Sequence, residues 1–258
     1  MTEKNPFILL GLVALMSGTA PIFPAAAQPS ILAQVLDSRA AVVEVVAENV
    51  DLFRDGKGRT AFDPRTGRVV ILKNVKKSSY RREAAGVIIH PSGVIVTNAH
   101  VVHKANFIWI HLYNGQEFPA DIAGYIGNLD LAFLKIEYPT PLPAVPIADS
   151  DRIKLGDEII TVGHSFVLNQ TVSGGKVIGL GTSHAKRKAG QRRTDLIQTS
   201  FNLYEGDSGG PLFDAQGRLI GLMTAKENKT DHSSFAVPSN KINAFLKDYL
   251  RSGKLPHK

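Results

Sequence analysis

Apolar residues in this chain cluster in short runs separated by turn formers, and helical periodicity is nearly absent among them. The runs are "AVVEVV" (Ala41 to Val46), "GVIIH" (Gly86 to His90), "GVIVT" (Gly93 to Thr97), "FIWIHL" (Phe107 to Leu112), "LAFLKI" (Leu131 to Ile136), "EIITV" (Glu158 to Val162), "LIQTS" (Leu196 to Ser200), "RLIGLMT" (Arg218 to Thr224) and "SFAVP" (Ser234 to Pro238). Stretches of this length and composition read as strands, and many short strands predict a β-sandwich or barrels. Pro91-Ser92-Gly93 and Asn114-Gly115 supply the chemistry of tight hairpins. "YPTPLPAVP" (Tyr138 to Pro146) breaks the pattern near the middle, because consecutive prolines cannot donate to a sheet ladder. A boundary between two β units is expected there. The stretch from Asp51 to Arg82 reads as an extended loop with at most one strand, "RVVIL". One helix is predicted at the end, where Ile242, Phe245, Leu246, Tyr249 and Leu250 share a face. Ser239 is its N-cap candidate, Gly253 falls just past its end, and its apolar face is expected to pack on the second β unit.

A chain of 258 residues with 43% apolar content can build one large all-β unit or two smaller ones. Residues 1–27 are set aside as a secretory signal peptide. Lys4 precedes an apolar run from Phe7 to Met16, and Pro21, Pro24 and Ala25-Ala26-Ala27 form a small-residue cleavage signature. That run is half the ~20 residues needed to span a bilayer, so no membrane span is expected after cleavage. With Cys 0, the exported chain has no disulfide or lipid-modified cysteine, which fits a bacterial periplasm best. The net charge of +7 is concentrated in "KNVKKSSYRR" (73–82) and "HAKRKAGQRR" (184–193). These read first as solvated loops, with an anion-binding patch as the alternative. Neither carries the interleaved aromatics of a nucleic-acid surface.

Candidate chemistry begins at "EGDSGGP" (Glu205 to Pro211). A serine hydroxyl is a weak nucleophile and needs a base, a group that orients the base, and donors for the developing oxyanion. Gly206 lets the backbone turn so that its own N–H and that of Ser208 point into one space, while Gly209 and Gly210 leave approach open. A plain Gly-rich turn is the alternative for the motif in isolation. Of eight histidines, His100 in "VIVTNAHVV" stands at the end of a buried-looking strand, where its ring can be held rigidly. A structural histidine is the competing reading. His100 and His103 have neither helical periodicity nor a third ligand to suggest a metal pair. Asp130 stands at the start of "LAFLKI", a run apolar on both faces and therefore buried, so its carboxylate needs a partner such as an imidazole N–H. A loop-capping aspartate is its alternative.

Together, "TNAHVV", "DLAFLKI" and "EGDSGGPL" resemble the trypsin-like serine peptidases, and specifically the cysteine-free HtrA/Deg branch. "GVIIHPSGVIVTNAHVV", "LGDEIITVGHSFVLNQTVSGGKVIGLGTS" and "SFAVPSN" extend the resemblance from about Val42 through the final helix. The order His, Asp, Ser is that of the chymotrypsin arrangement. The resemblance implies an all-β fold of two six-stranded antiparallel barrels with a C-terminal helix. The expected divisions are 28–140 for the first barrel with its long loop 51–82, 141–238 for the second, and 239–258 for helix and tail. It also implies a triad of His100, Asp130 and Ser208, an oxyanion hole from the Gly206 and Ser208 amides, and no cofactor or metal. Asn202 matches the base of the primary pocket, and an extended substrate is expected to pair with the backbone of Thr224, Ala225 and Lys226.

The departures are as informative. The chain ends soon after the helix, so a protease domain without a PDZ domain is expected. Asp207 stands where Deg-like proteins usually have asparagine, and no "IVGG"-like activation site supplies the amine that pairs with such an aspartate in the chymotrypsin group. Lys, Arg or backbone donors are expected to hold it instead. His164, in "VGHSFV", replaces the usual "GNP". The predicted function is an exported, periplasmic or secreted endopeptidase acting on unfolded or damaged envelope proteins, forming a homo-oligomer as the branch commonly does. A polyanion or regulatory partner is a candidate for the two basic loops. The alternative function is a non-hydrolytic peptide-binding or chaperone-like module on the same scaffold.

Overall fold

The structure is a computed structural model, and it describes residues 35, 38–49, 58–63, 68–73, 80–163, 171–185, 192–204, 206–226 and 233–253. Residues 1–27, where a signal peptide is expected, His164 and the central parts of both basic loops lie outside the described residues.

The first half is a seven-stranded antiparallel sheet among the described residues. In chain order its strands are β1 (Val42–Asn49), β4 (Tyr80–His90), β5 (Val94–Asn98), β6 (Phe107–His111), β7 (Glu117–Pro119), β8 (Asp121–Ile126) and β9 (Leu131–Lys135). Between β1 and β4 the chain forms a separate hairpin, β2 (Gly58–Asp63) and β3 (Arg68–Lys73). This corrects the expectation of at most one strand in 51–82: "GRTAFD" lacks the apolar density of "RVVIL" and is recruited as its pairing partner.

The sheet order is β7-β6-β1-β4-β5-β9-β8, which is not closed by a strand ladder as a six-stranded barrel would be. Its two edges are nevertheless consecutive in the chain. Only Ala120 separates β7 from β8, and its amide donates to Ile108 O at 2.9 Å. Pro119, which has no N–H for a ladder, ends β7, and the sheet curls until its edges meet through the backbone.

The second half is a closed barrel, β10-β11-β12-β15-β14-β13. Its strands are β10 (Glu158–Gly163), β11 (Thr171–Ala185), β12 (Arg192–Thr199), β13 (Pro211–Phe213), β14 (Leu219–Lys226) and β15 (Ser234–Pro238). Pairing of Ile160 with Phe213 and Thr161 with Leu212 closes the ring. The proline-rich segment between the halves bonds to both: the Val145 amide donates to Ile88 O at 3.0 Å, and the Leu219 amide to Pro146 O at 2.8 Å. Gly93 closes the β4–β5 hairpin at φ +88, and a Cβ there would sit 2.5 Å from Ile136 O. Only glycine fits that approach.

Besides the one-turn helix α1 (Ala99–Val102), the described residues hold α2 (Ser239–Ser252). Gly253 ends α2 in the left-handed region, and its amide returns to Tyr249 O at 2.8 Å. Ser239 is not the cap. Pro238 holds that position, and the Ser239 hydroxyl donates to Ala148 O at 2.7 Å, tying the helix start to the inter-unit segment. Ile242 and Leu246 are buried, but Leu250 is 50% exposed, because its position lies about 80° round the helix from Ile242, at the rim of the apolar stripe. The helix touches β14 and β15, and Phe245 also packs on Phe133 of β9 with ring centroids 6.2 Å apart. It therefore bridges both halves rather than covering the second alone.

Phe133 is fully buried at that junction. Phe133→Ala is expected to lower the unfolding free energy by about 3–5 kcal/mol. Leu250→Ala, on the exposed side, should change it by about 0.5 kcal/mol at most. Denaturant titration followed by circular dichroism measures both.

Candidate active site

β5 runs buried through Asn98 and ends by turning into α1, so His100 leaves the sheet on a single helical turn anchored by the buried Ala99, Val101 and Val102. Asp130 sits at the opposite side of the same sheet end, just before β9. Its backbone is left-handed (φ 57), and it is 2% exposed. That conformation lets both its carbonyl and its carboxylate serve the His100 segment. The carbonyl accepts from the Ala99 amide at 3.0 Å and from Asn98 Nδ2 at 3.2 Å. One carboxylate oxygen, Oδ1, accepts from the His100 amide at 2.9 Å, and the other, Oδ2, lies 2.7 Å from His100 Nδ1. With Nδ1 committed to the carboxylate, Nε2 is the ring atom left to accept a proton. The Arg82 guanidinium donates to the His100 carbonyl and its cation stacks on the Tyr80 ring, while Arg81 pairs with Glu48 and Glu83. The described end of the first basic loop is thus engaged in internal contacts. His103 is exposed at the end of α1.

Ser208 occupies a turn whose neighbours are spent in a regular way. The amides of Asp207, Gly209 and Gly210 donate to Tyr204 O, Met223 O and Asp207 O at 3.1, 2.9 and 3.0 Å. Those of Gly206 and Ser208 donate to no acceptor among the described residues. Gly206 has φ +97, which places this alternation within reach of a backbone that only glycine adopts readily. The turn is docked on the first sheet: Ser208 O accepts from the Ala85 amide at 2.9 Å. A Cβ on Gly209 would lie 2.2 Å from Ala85 O and 2.4 Å from Thr97 Oγ1, so the "SGG" glycines are needed for this docking. Among the described residues no hydrogen bond joins the His100 ring to the Ser208 hydroxyl.

Among the described residues neither lysine nor arginine holds Asp207. Its Oδ2 accepts from the Tyr204 amide at 2.8 Å and its Oδ1 from the Thr171 hydroxyl at 3.3 Å. Burial pushes the carboxyl above the ordinary aspartate range, against the opposing pull of those two donors. Backbone donation was anticipated for this residue, whereas the hydroxyl of Thr171 was not.

Thr224 was expected to matter through its backbone alone. Its side chain also donates to Asp130 Oδ2 at 2.7 Å, carrying a bond from the second barrel into the first sheet. A hydroxyl inside the apolar strand "LIGLMTA" was the available signal. On the Gly209–Gly210 side, the β13–β14 ladder ends at Leu222. Ala225 and Lys226 continue pairing with Phe235 and Ser234 of β15. Asn202 is half-buried between the buried Phe201 and Leu203. The second basic segment begins and ends in the β11–β12 ladder, with His184 opposite Arg193, and residues 186–191 lie outside the described residues.

The chain matches the trypsin-like peptidase domain over residues 84–222. It is 31% identical over 224 residues to a periplasmic serine protease of the do/HhoA-like kind from Haemophilus influenzae, covering 85% of this chain and 46% of that protein. To the periplasmic pH-dependent serine endoprotease DegQ of Escherichia coli it is 37% identical over 175 residues, covering 66% of this chain and 38% of DegQ. The chain therefore spans under half the length of these relatives. Among solved structures it resembles the HtrA-type protease AlgW with a tripeptide, at TM-score 0.67 and 27% identity, covering 88% of this chain and 65% of that one.

Thr224→Val removes one donor from a buried carboxylate while keeping the side-chain shape. It is expected to cost about 1–3 kcal/mol of unfolding free energy, read by denaturant titration at neutral pH.

Proposed function

The chain belongs to the trypsin-like peptidases, in the HtrA branch, and from that membership we propose that it is a serine endopeptidase in which Ser208 is the nucleophile, His100 the base and Asp130 the group that orients the base. The observation that carries this reading is the pairing of two features. A buried carboxylate holds His100 Nδ1 at 2.7 Å. The serine turn docked against the same sheet end keeps the Gly206 and Ser208 amides unspent among the described residues.

In the proposed reaction the Ser208 hydroxyl attacks the scissile carbonyl carbon as its proton passes to His100 Nε2. Asp130 stabilises the imidazolium so formed without itself taking the proton. Charge collects on the substrate oxygen, where the Gly206 and Ser208 amides stabilise it without reorganising. His100 then gives its proton to the leaving amine. A water deprotonated by His100 attacks the acyl carbon, and His100 returns that proton to the departing Ser208 Oγ as the acid product leaves. An extended peptide adds to the β14 edge beyond Leu222, at Thr224, Ala225 and Lys226, and Asn202 lies at the base of the primary pocket. Being neutral, Asn202 gives no electrostatic preference for Arg or Lys.

The relatives described as periplasmic, with the signal-like N-terminus, support a site of action in the bacterial envelope. Unfolded or damaged envelope proteins are the substrates proposed there. No helix among the described residues is long and apolar enough to cross a membrane.

Labelling with a fluorophosphonate probe tests the assignment. The wild type is expected to react and Ser208→Ala not to. Casein turnover is expected to fall on the order of a millionfold in Ser208→Ala, with its unfolding midpoint essentially unchanged. Peptide binding by a folded wild type that never labels, even with denatured casein present, would instead support the non-hydrolytic peptide-binding reading.

A further inference from the structure

Asp207 immediately precedes Ser208 and is 2% exposed. It closes the serine turn three times over. Its amide donates to Tyr204 O at 3.1 Å, its carbonyl accepts from the Gly210 amide at 3.0 Å, and its carboxyl accepts from the Tyr204 amide at 2.8 Å. The end of β10 presses on the same carboxyl, for a Cβ on Gly163 would lie 1.7 Å from Oδ1. The start of β11 contributes the Thr171 hydroxyl at 3.3 Å.

Three elements thus surround the group. The turn presents the Tyr204 amide, with that residue 64% exposed; β10 presents Gly163; β11 presents Thr171. Among the described residues none of them brings a charged side chain to the carboxyl. Glu205 and His164, adjacent in sequence to Gly206 and Gly163, lie outside the described residues. A buried carboxylate without a counter-charge is strongly disfavoured. A carboxylic acid suits the same surroundings: it accepts from the Tyr204 amide and donates its proton to the Thr171 hydroxyl, so both bonds survive without a buried charge.

We propose that Asp207 is a positioning residue that holds the oxyanion turn as a protonated carboxylic acid, and that its ionisation as pH rises loosens the turn and lowers activity. This rests on the reading of Ser208 as nucleophile with the Gly206 and Ser208 amides as oxyanion donors. The direction follows from linkage. Because burial raises the folded-state value, the native form keeps a proton that the unfolded chain releases. The stabilisation is complete below the ordinary aspartate value and is lost as pH rises through the folded one. Ionisation of the Asp207 carboxyl therefore supplies a descending limb as pH rises.

The test compares wild type, Asp207→Asn and Thr171→Val in fluorophosphonate labelling rate across pH. The Tyr204 amide nitrogen shift provides a readout independent of catalysis. The wild type is expected to lose about a hundredfold in labelling rate along the alkaline limb, the loss typical of a removed oxyanion donor. Its Tyr204 amide should titrate with the same midpoint. Asp207→Asn, neutral at every pH, should still label but without that limb, and its Tyr204 amide should not titrate. Thr171→Val removes the hydroxyl bonded to the carboxyl in either form, so the midpoint of the limb should move away from that of the wild type. An alkaline limb shared by wild type and Asp207→Asn, or a wild-type Tyr204 amide that does not titrate while labelling proceeds, overturns the proposal. Titration of that amide with no labelling of any protein overturns the peptidase reading beneath it.

Discussion

The carboxylate of Asp130 is where the two halves of this molecule are joined chemically. At 2% exposure it cannot be left short of donors, since the desolvation of an unpaired carboxylate outweighs most single contacts. The donors come from both sides. The His100 amide and ring approach from the segment that leaves β5, and the Thr224 hydroxyl arrives from β14 of the second barrel. Satisfying this one group requires the halves to be docked. The left-handed backbone of Asp130 belongs to the same constraint, because it turns the carbonyl toward the Ala99 amide and Asn98 while the carboxylate reaches His100.

The serine turn shows the complementary constraint. It is fixed by backbone contacts that tolerate no side chain. Ser208 O meets the Ala85 amide at 2.9 Å, and Gly209 packs where a Cβ would overlap Ala85 O. Gly210 is confined as well, since a Cβ on it would come 2.8 Å from Val162 O and 2.9 Å from Asp207 O. These contacts tie the turn to β4 on one side and to the barrel on the other. Phe245 on Phe133 and the Ser239 hydroxyl on Ala148 O add two further ties, so the final helix braces the same junction.

Local chemistry made much of this legible. β1, β4, β5, β6, β9, β10, β12, β14 and β15 lie on the apolar runs, and the turns at Gly93 and Gly115 take positive φ as their residues suggested. β11 escaped because Gly174, Gly175, Gly179 and Gly181 dilute its apolar signal. It is held by pairing on both edges rather than by its own propensity. β2 escaped for a similar reason, being a partner strand to β3. β7 and β8 also escaped, for the stretch from Glu117 to Ile126 is short, interrupted at Pro119 and carries no apolar run. At the site, the residues whose chemistry is local to a motif could be named from sequence. The bonds of Thr224 to Asp130 and of Thr171 to Asp207 span 94 and 36 positions. Contacts at that separation are set by topology, and neither threonine sits in a motif that reports its partner.

Asp130 and Asp207 show how one residue type is given two characters in one site. They are equally buried, at 2% each, so exposure does not distinguish them. Their donors do. The Asp130 carboxylate is met by an amide, an imidazole nitrogen and a hydroxyl, and the imidazole can become a cation beside it. Asp207 is met by one amide and one longer hydroxyl contact, with no cation among the described residues. Protonating Asp130 would sacrifice acceptor capacity that three donors already use, whereas protonating Asp207 converts one acceptor into a donor that Thr171 can receive. The two carboxyls therefore differ in the donors that meet them, not in their burial. Here the separation follows from which strand delivers the hydroxyl: β14 brings Thr224 to a carboxylate already paired with histidine, and β11 brings Thr171 to one that is not.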